Sequence, residues 1–169
     1  GLNINFMPVY VNCNQWDQDF NSLSNFLSEH TDLNYVLAGD FNVRIAEEQG
    51  VNEVIGMEMG SFSVSRNSKD KTLNSRGTKF LDMCSDFGLV VLNGRSKGDA
   101  DGDYTFISRR GSSVCDLACV SLEVVSHISD FWVLTETFSD HLPITFGVPM
   151  GDGGPSVSLL PRLRWDPNR

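Results

Sequence analysis

The stretch VLAGDFNVR, residues 36–44, decides the fold because an apolar run ends there abruptly in an acid. Residues 36–38 are all apolar, which is typical of an internal strand covered on both faces. Asp40 and Asn42 follow this strand two residues apart, so on extended backbone their side chains point the same way. Gly39 lets backbone or a ligand approach closely. The segment alone supports two interpretations equally: an Asx turn, or ligand-binding side chains beyond a strand's C-terminal end.

Helix-like and strand-like patterns surround this stretch. Alternating apolar and polar residues predict a strand over 3–11, and 35–38 reads as a short buried strand. Apolar residues at helical spacing predict amphipathic helices over 15–29 and 76–87. The polar segment 44–75 predicts long loops. The remaining strand-like runs are 89–92, 104–107, 114–121, 129–134 and 142–148. Early helices and strands throughout predict a layered α/β domain.

The composition describes one acidic domain. The 169 residues include 13 basic and 22 acidic side chains, for a net charge of −9. This balance argues against a generic basic nucleic-acid coat, which needs clustered Lys and Arg, but an acidic site can still hold a cation against a phosphate. No apolar run is long enough to span a bilayer, and the first residues lack signal-peptide features. Gly, Pro and Ser in 150–161 predict a linker, so we divide the chain into a domain, 1–149, and a tail, 150–169.

The four cysteines predict free thiols. On a predicted strand, Cys115 and Cys119 would lie roughly 13 Å apart on one face, which is too far for a disulfide. We favour four buried thiols in a reducing compartment over a zinc site. The sequence contains no Asn-x-Ser/Thr sequon, which also favours an intracellular protein.

Two further polar features lie at or near strand-like runs. Ser139, Asp140 and His141 stand just before the run at 142–148. Asp116 lies inside an otherwise apolar run, where a buried carboxylate is costly unless it has a partner. A histidine is the natural partner, and His141 is the histidine with an acid beside it at a strand start. We therefore predict that Asp116 and His141 form a pair.

A third acidic segment, KGDADGDYTF at 97–106, resembles the start of a calcium-binding loop. The sixth position of such a loop should be Gly and the twelfth Glu, but here they are Tyr104 and Arg110. We predict a solvated acidic turn instead.

In order, these motifs resemble those of the endonuclease/exonuclease/phosphatase superfamily. The matching segments are GDFN at 39–42, YTF at 104–106, the Asp-containing strand at 114–120 and SDHLPI at 139–144. Residues 74–95 are similar to the segment between the GDFN and YTF motifs in the apurinic-type endonuclease domain of non-LTR retrotransposons. Residues 160–169 resemble the linker towards their reverse transcriptase.

The resemblance implies a fold and a reaction. The fold would be part of a four-layer α/β sandwich of the DNase I type, largely one sheet with flanking helices. The reaction would be phosphodiester hydrolysis that nicks DNA and depends on Mg²⁺ (or Mn²⁺), since a divalent cation neutralises the developing charge.

The resemblance also implies roles for five catalytic positions. Tyr10 would contact the scissile phosphate, and Asn42 would hold a phosphate oxygen. Asp40 would position or deprotonate the attacking water. Asp116 would pair with His141, which would face the phosphate.

Substrate and metal positions are implied in the same way. Thr105 and Ser139, together with Asn42, would bind the DNA substrate. Asp140 and Asp40 would be the acids associated with the metal.

The resemblance covers the C-terminal part of the family domain. That domain begins with a strand bearing an Asn and then a Glu, its principal metal ligand, and neither motif is found here. We therefore expect the N-terminal part to be absent and an apolar sheet face to be exposed. A second copy, the missing half or another protein would complete the sandwich. Around Asp116, the usual Ile-Asp-Tyr/His is Cys115-Asp116-Leu117.

Two functions therefore compete. The first is a DNA-nicking endonuclease of retrotransposon type, present as an incomplete domain and probably a nuclear protein in the sense that its substrate is DNA. The second is a catalytically weak or inactive domesticated remnant that acts as a binding or assembly module. A phosphatase or lipid phosphodiesterase of the same superfamily is a third interpretation, and segment 74–95 argues against it.

Overall fold

The computed structural model describes residues 2–51, 56, 58–136 and 138–148, so the predicted tail at 150–169 lies outside the described residues. Eight strands and three helices are described here in chain order. They are β1 (Ile4–Tyr10), α1 (Trp16–Glu29), β2 (Asn34–Asp40), α2 (Ser75–Asp86), β3 (Leu89–Val91), β4 (Phe106–Ser108), β5 (Gly111–Ser113), β6 (Asp116–Ser121), α3 (Leu122–Val125), β7 (Phe131–Val133) and β8 (Ile144–Phe146). Among these residues, no helix combines the length and apolarity that crossing a membrane requires.

A four-stranded mixed sheet in the order β1-β2-β6-β3 forms the centre of the fold. β1 and β2 are parallel, whereas β6 is antiparallel to both of its neighbours. Two small antiparallel pairs, β4-β5 and β7-β8, lie beside this sheet. The predicted α/β class and its main sheet are thus confirmed.

Both longer helices cover the same face of the sheet, as their apolar stripes predict. Trp16 of α1 and Phe80 of α2 are buried against the face that carries Leu37 and Cys119. The Trp16 indole N–H donates to the carbonyl oxygen of Phe41 at 2.8 Å. The helices therefore hold the loop that follows β2 as well as the sheet.

The opposite face of the sheet is also covered for most of its width. Val36, Val90 and Val120 are buried there against α3 and the β7-β8 pair. The prediction of an exposed apolar sheet face is therefore wrong for the three strands that carry these residues. Apolar exposure remains at the edge strand β1, where Phe6 is 58% exposed and stacks on Phe146 with 6.5 Å between ring centroids.

Three local predictions are corrected by the structure. Strand β6 begins at Asp116, so this acid stands at the end of a strand and not inside one. Cys13 is exposed, while the other three thiols are buried. Asp99 is buried rather than solvated, because its carboxylate accepts the N–H groups of Gly94 and Asp103.

Gly39 permits the close pairing of β1 and β2. Its φ is +145°, and a Cβ atom built there would lie 2.0 Å from the carbonyl oxygen of Val9 on the neighbouring strand. Gly111 has nearly the same φ, +144°, but a Cβ atom there would meet nothing within 4 Å. The two glycines share backbone strain and differ in available space.

We expect Gly39→Ala to lower the free energy of unfolding by about 3 kcal/mol or more, because backbone strain adds to a backbone clash. Gly111→Ala should cost about 1–2 kcal/mol from strain alone. Urea denaturation of both variants checks this difference. Equal losses would show that β1 does not approach Gly39 closely.

Candidate active site

Strand register brings three of the predicted site residues into one row. Tyr10 of β1 is paired with Asp40 of β2, and Asp40 is paired with Asp116 of β6. Residues directly opposite in neighbouring strands project from the same face, about 5 Å apart. The row therefore presents one phenol and two carboxylates at the end of the sheet, where Tyr10 is 68% exposed.

Asp40 and Asn42 form a local hydrogen-bonded unit. The backbone N–H of Asn42 donates to Oδ1 of Asp40 at 2.9 Å, and the Asn42 amide donates to Oδ2 at 3.1 Å. The same amide also donates to the Val11 carbonyl oxygen at 2.9 Å. The turn that we considered as an alternative to a site is thus present, and it is this turn that orients Asp40.

Asp116 and His141 are in contact, as the sequence argument predicted. Nδ1 of His141 lies 2.9 Å and 3.1 Å from the two carboxylate oxygens of Asp116. The Asp116 side chain is 13% exposed and that of His141 is 41% exposed. With Nδ1 engaged by the acid, Nε2 is the ring nitrogen left for a substrate.

Backbone and ring contacts with strand β4 position His141. An isolated antiparallel bridge joins it to Phe106, and the two rings lie 4.9 Å apart. The N–H of Leu142 donates to the Thr105 carbonyl oxygen at 2.7 Å, and the N–H of Ile107 donates to the Asp140 carbonyl oxygen at 2.8 Å. The segment around His141 is therefore attached to β4 on both sides of the histidine.

Thr105 is buried beneath the pair, which corrects its predicted role. Its hydroxyl oxygen accepts the backbone N–H groups of Cys115 at 3.1 Å and of Asp116 at 2.9 Å. The residue has no exposed surface, so it cannot contact DNA in this structure. It is a positioning residue for Asp116.

Asp70 is a supporting residue that the sequence analysis missed. Its carboxylate accepts two hydrogen bonds from Arg44, at 2.6 and 2.7 Å, and a third from the Val114 N–H at 3.2 Å. Burial opposes ionisation of Asp70, but these bonds and one from the Thr72 N–H lower its pKa. Asp70 thus connects the chain after GDFN to the chain before Asp116. No sequence motif marked it.

Cys115 was considered only as a thiol, yet it lies inside the site. Its Sγ is 3.6 Å from Oδ2 of Asp116, to which the thiol donates. Burial, followed by the charges of Asp116 and Asp40, raises the pKa of Cys115 to about 12. Burial also raises the pKa of Asp40, and the charge of Asp116 adds to this effect against the opposing influence of the Asn42 N–H, His141 and Cys115.

Two predicted residues lie at the rim of the site. Ser139 is exposed, and its hydroxyl accepts the His141 N–H at 3.2 Å. Asp140 is also exposed, and its side chain makes no hydrogen bond or ion pair with the described residues. The structure therefore does not bring Asp140 to Asp40, its predicted partner at the metal.

A cavity of about 200 Å³ opens beside these groups, with Asn42, Cys115 and His141 in its wall. A larger cavity of about 310 Å³ lies elsewhere, against Cys84 and Leu89. The larger one has a mainly apolar lining without an acid–histidine pair. The chemistry therefore belongs to the smaller cavity.

The donor atoms fit a magnesium-type ion held mainly by Asp40. Mg²⁺ takes oxygen ligands and is commonly bound by one or two carboxylates together with water and phosphate. Asp40 supplies such a carboxylate, and a cation beside it would relieve the repulsion from Asp116 that raises its pKa. Both oxygens of Asp116 already face His141, so water and substrate would supply the other ligands.

The fold is similar to that of known DNA-processing enzymes. Against the 3′-5′ exonuclease NExo from Neisseria meningitidis, the TM-score is 0.59 at 20% identity, over 87% of this chain and 62% of that one. Against the AP endonuclease LMAP from Leishmania major it is 0.59 at 16% identity, over 85% and 49%. An AP endonuclease from Archaeoglobus fulgidus gives 0.58 at 16%, over 87% and 62%. The chain thus spans at most about three fifths of these proteins.

These likenesses define the class by its fold: a DNase I-like α/β sandwich of the endonuclease/exonuclease/phosphatase superfamily. The family model described as endonuclease-reverse transcriptase matches residues 4–145. Because this match covers most of the chain, the protein belongs to the endonuclease-reverse transcriptase family. No curated protein matches the sequence at a significant level.

Replacing Thr105 by Val should lower the free energy of unfolding by about 3 kcal/mol, because two buried N–H groups lose their acceptor. Thr105→Ser keeps the hydroxyl and loses one methyl group, at a cost of about 1 kcal/mol. Guanidinium denaturation of the two variants gives the comparison. Equal stability of the Val and Ser variants would contradict the positioning role.

Asp70→Asn should lower the free energy of unfolding by about 2 kcal/mol at pH 7, because Arg44 loses a charged, two-point partner. The folded pKa of Asp70 is below its ordinary value of 3.8. Its contribution is therefore present above pH 3.8 and is lost as the pH falls through the lowered pKa. Denaturation at pH 7 and in acid measures the change.

Glu47→Gln is the matched control for this carboxylate. Glu47 pairs with Lys71 on the surface, where both side chains are about half exposed, so its loss should cost less than about 1 kcal/mol. A control as damaging as Asp70→Asn would refute the special role of Asp70.

Proposed function

We propose that this chain carries the C-terminal part of a metal-dependent endonuclease that nicks DNA, of the kind found in non-LTR retrotransposons. The observation that carries the proposal is the contact between His141 and Asp116, 2.9 Å, one strand away from Asp40. A carboxylate-oriented imidazole beside a second, partly buried carboxylate supplies both proton handling and a cation position.

The reaction would be water attack on a phosphodiester. Asp40, oriented by its turn, would position the water or accept its proton. Asp116 would hold the His141 ring with Nε2 directed to the phosphate and would stabilise the charged imidazole. A bound Mg²⁺ (or Mn²⁺) ion would neutralise charge that develops on the phosphate oxygens.

Two further predicted groups have defined places in this scheme. The phenol of Tyr10, exposed at the end of the same row, is available to contact a phosphate. The amide of Asn42 already donates to Val11 and Asp40, so a phosphate contact would replace one of these bonds. Its role in the free chain is to orient Asp40.

The β4-β5 hairpin supports DNA as the substrate. Arg109 and Arg110 are exposed at its turn, while Phe106 and Ser113 at its base line the site cavity. Strands of three residues span roughly 10 Å, so the two guanidinium groups stand close to the site. In a chain with a net charge of −9, a local basic tip favours binding of one phosphate backbone over general attraction.

The relatives add support of the same kind. NExo from Neisseria, described as a 3′ phosphatase, is known in a complex with a product DNA hairpin. A retrotransposon-type nick is made in chromosomal DNA, so the proposal places this protein in the nucleus.

A partner chain or segment would bind at strand β1. Its outer edge has no paired strand among the described residues, and Phe6 leaves an apolar surface beside it. Strand addition at this edge, by a second copy or another polypeptide, would extend the sheet and could bring further ligands to Asp40.

The alternative is an inactive remnant that serves as a binding module. The observation that favours it is the position of Asp140, which stands apart from Asp40 and leaves the cation with few protein ligands. The two functions differ in one measurable property, metal-dependent turnover.

A supercoiled plasmid should be nicked in Mg²⁺ and remain intact in EDTA. His141→Ala should reduce the nicking rate by about 100-fold or more, because general acid–base groups contribute that much. Gel quantification of relaxed circles gives the rates.

His127→Ala is the matched control, since His127 is exposed on a connection outside the site. It should nick as the unmodified chain does. If a folded chain shows no metal-dependent nicking, or if His141→Ala nicks at the full rate, the enzymatic proposal fails and the binding module is favoured.

A further inference from the structure

Three donor groups of different chemistry meet beside Asp40. One ligand atom each from Cys115, Asp116 and His141 lies within 4.8 Å of the other two. Oδ2 of Asp116 is 3.6 Å from the Cys115 Sγ and 2.9 Å from Nδ1 of His141. In a tetrahedral zinc site, bond lengths of about 2.0–2.3 Å place neighbouring donors about 3.3–3.6 Å apart. The three atoms are already close to this spacing.

We propose that Cys115, Asp116 and His141 bind Zn²⁺ or a similar thiophilic transition-metal ion, and that this binding inhibits DNA nicking. A thiolate and an imidazole select zinc-type ions over magnesium, which prefers oxygen ligands. The site therefore differs in metal preference from the magnesium position at Asp40.

Charge at the site favours such an ion. The carboxylates of Asp40 and Asp116 both act on the Cys115 thiol, so they oppose a bare thiolate but attract a dication. Binding would release the thiol proton to solvent as the Zn–S bond forms. The ion would take the place of the hydrogen between Nδ1 and Asp116, leaving Nε2 protonated. Water or Asp40 would complete the tetrahedron.

The site requires little rearrangement. Its three residues are held by Thr105, which accepts the Cys115 and Asp116 N–H groups, and by the bridge from Phe106 to His141. Opening the 2.9 Å contact between His141 and Asp116 by a few tenths of an ångström reaches the zinc spacing. A preformed site loses less entropy on metal binding.

Inhibition follows because the ion would occupy the groups that the proposed reaction needs. It would remove Asp116 from the His141 ring and fix the imidazole on the metal. This part of the inference rests on the proposed function, whereas metal binding itself does not. The two can therefore be tested separately.

The binding test uses Co²⁺, a spectroscopic substitute for Zn²⁺, titrated into the full chain in a Cys13→Ser background that removes the exposed thiol. We expect a near-ultraviolet sulfur-to-cobalt charge-transfer band that saturates at one equivalent and is abolished by added Zn²⁺. Cys115→Ser in the same background should lose the band. Circular dichroism confirms that each variant is folded.

His141→Gln provides a second variant at a more exposed residue, so the test does not depend on the folding of the Cys115 variant. It should weaken Co²⁺ binding on the order of tenfold or more. Absence of the charge-transfer band, or its persistence in Cys115→Ser, would overturn the proposed site.

The inhibition test measures Mg²⁺-dependent nicking as Zn²⁺ is added. The Zn²⁺ concentration for half-inhibition should rise on the order of tenfold or more in Cys115→Ser relative to the Cys13→Ser background. Equal sensitivity in both would overturn inhibition through Cys115. If the chain binds Co²⁺ through Cys115 but nicks no DNA, the metal site stands and the proposed function fails.

Discussion

The antiparallel register between β2 and β6 is the constraint on which the rest of this structure depends. It places Asp40 opposite Asp116, two residues that lie 76 positions apart in the chain when 40 is subtracted from 116. A shift by one residue would turn every side chain of one strand to the other face. The register is held because both faces are buried: Leu37 and Cys119 pack against the helices, and Val36 and Val120 pack on the opposite side.

Around this register, polar contacts replace sheet pairing at the strand ends. The Thr105 hydroxyl accepts two N–H groups where β6 begins, and Asp70 accepts the Val114 N–H just before it. Buried backbone donors need acceptors, so these side chains decide where the strand starts. They also determine where Asp116 meets His141. Structural support and candidate chemistry are therefore provided by the same hydrogen bonds.

The site combines features that would conflict in a purely structural core. Two carboxylates lie on adjacent strands, and their repulsion together with burial raises the pKa of Asp40. A buried thiol lies between them and a histidine. Such an arrangement costs stability unless a cation, a proton or a substrate compensates for it. This cost is the physical reason to regard the end of the sheet as a functional site.

Sequence patterns alone were sufficient for the main elements. Helical spacing of apolar residues located α1 and α2, and apolar runs located β2 and the body of β6, because these features depend on local periodicity. The short strand β5, whose residues are Gly and Ser, has no apolar pattern to reveal it. The chemistry of buried charge led from Asp116 to a histidine partner. Motif order identified the superfamily.

The contacts that give each residue its place were decided by tertiary structure. The burial of Thr105 beneath Asp116, the bond from Asp70 to Val114 and the meeting of Cys115 with His141 join segments that are distant in sequence. Exposure of the sheet also depended on α3 and the β7-β8 pair, whose packing onto Val36 and Val120 no local pattern announces. Sequence determined which groups are chemically unusual, because that depends on residue type and spacing. Only the folded chain determined which of them touch, because contact depends on strand register and packing.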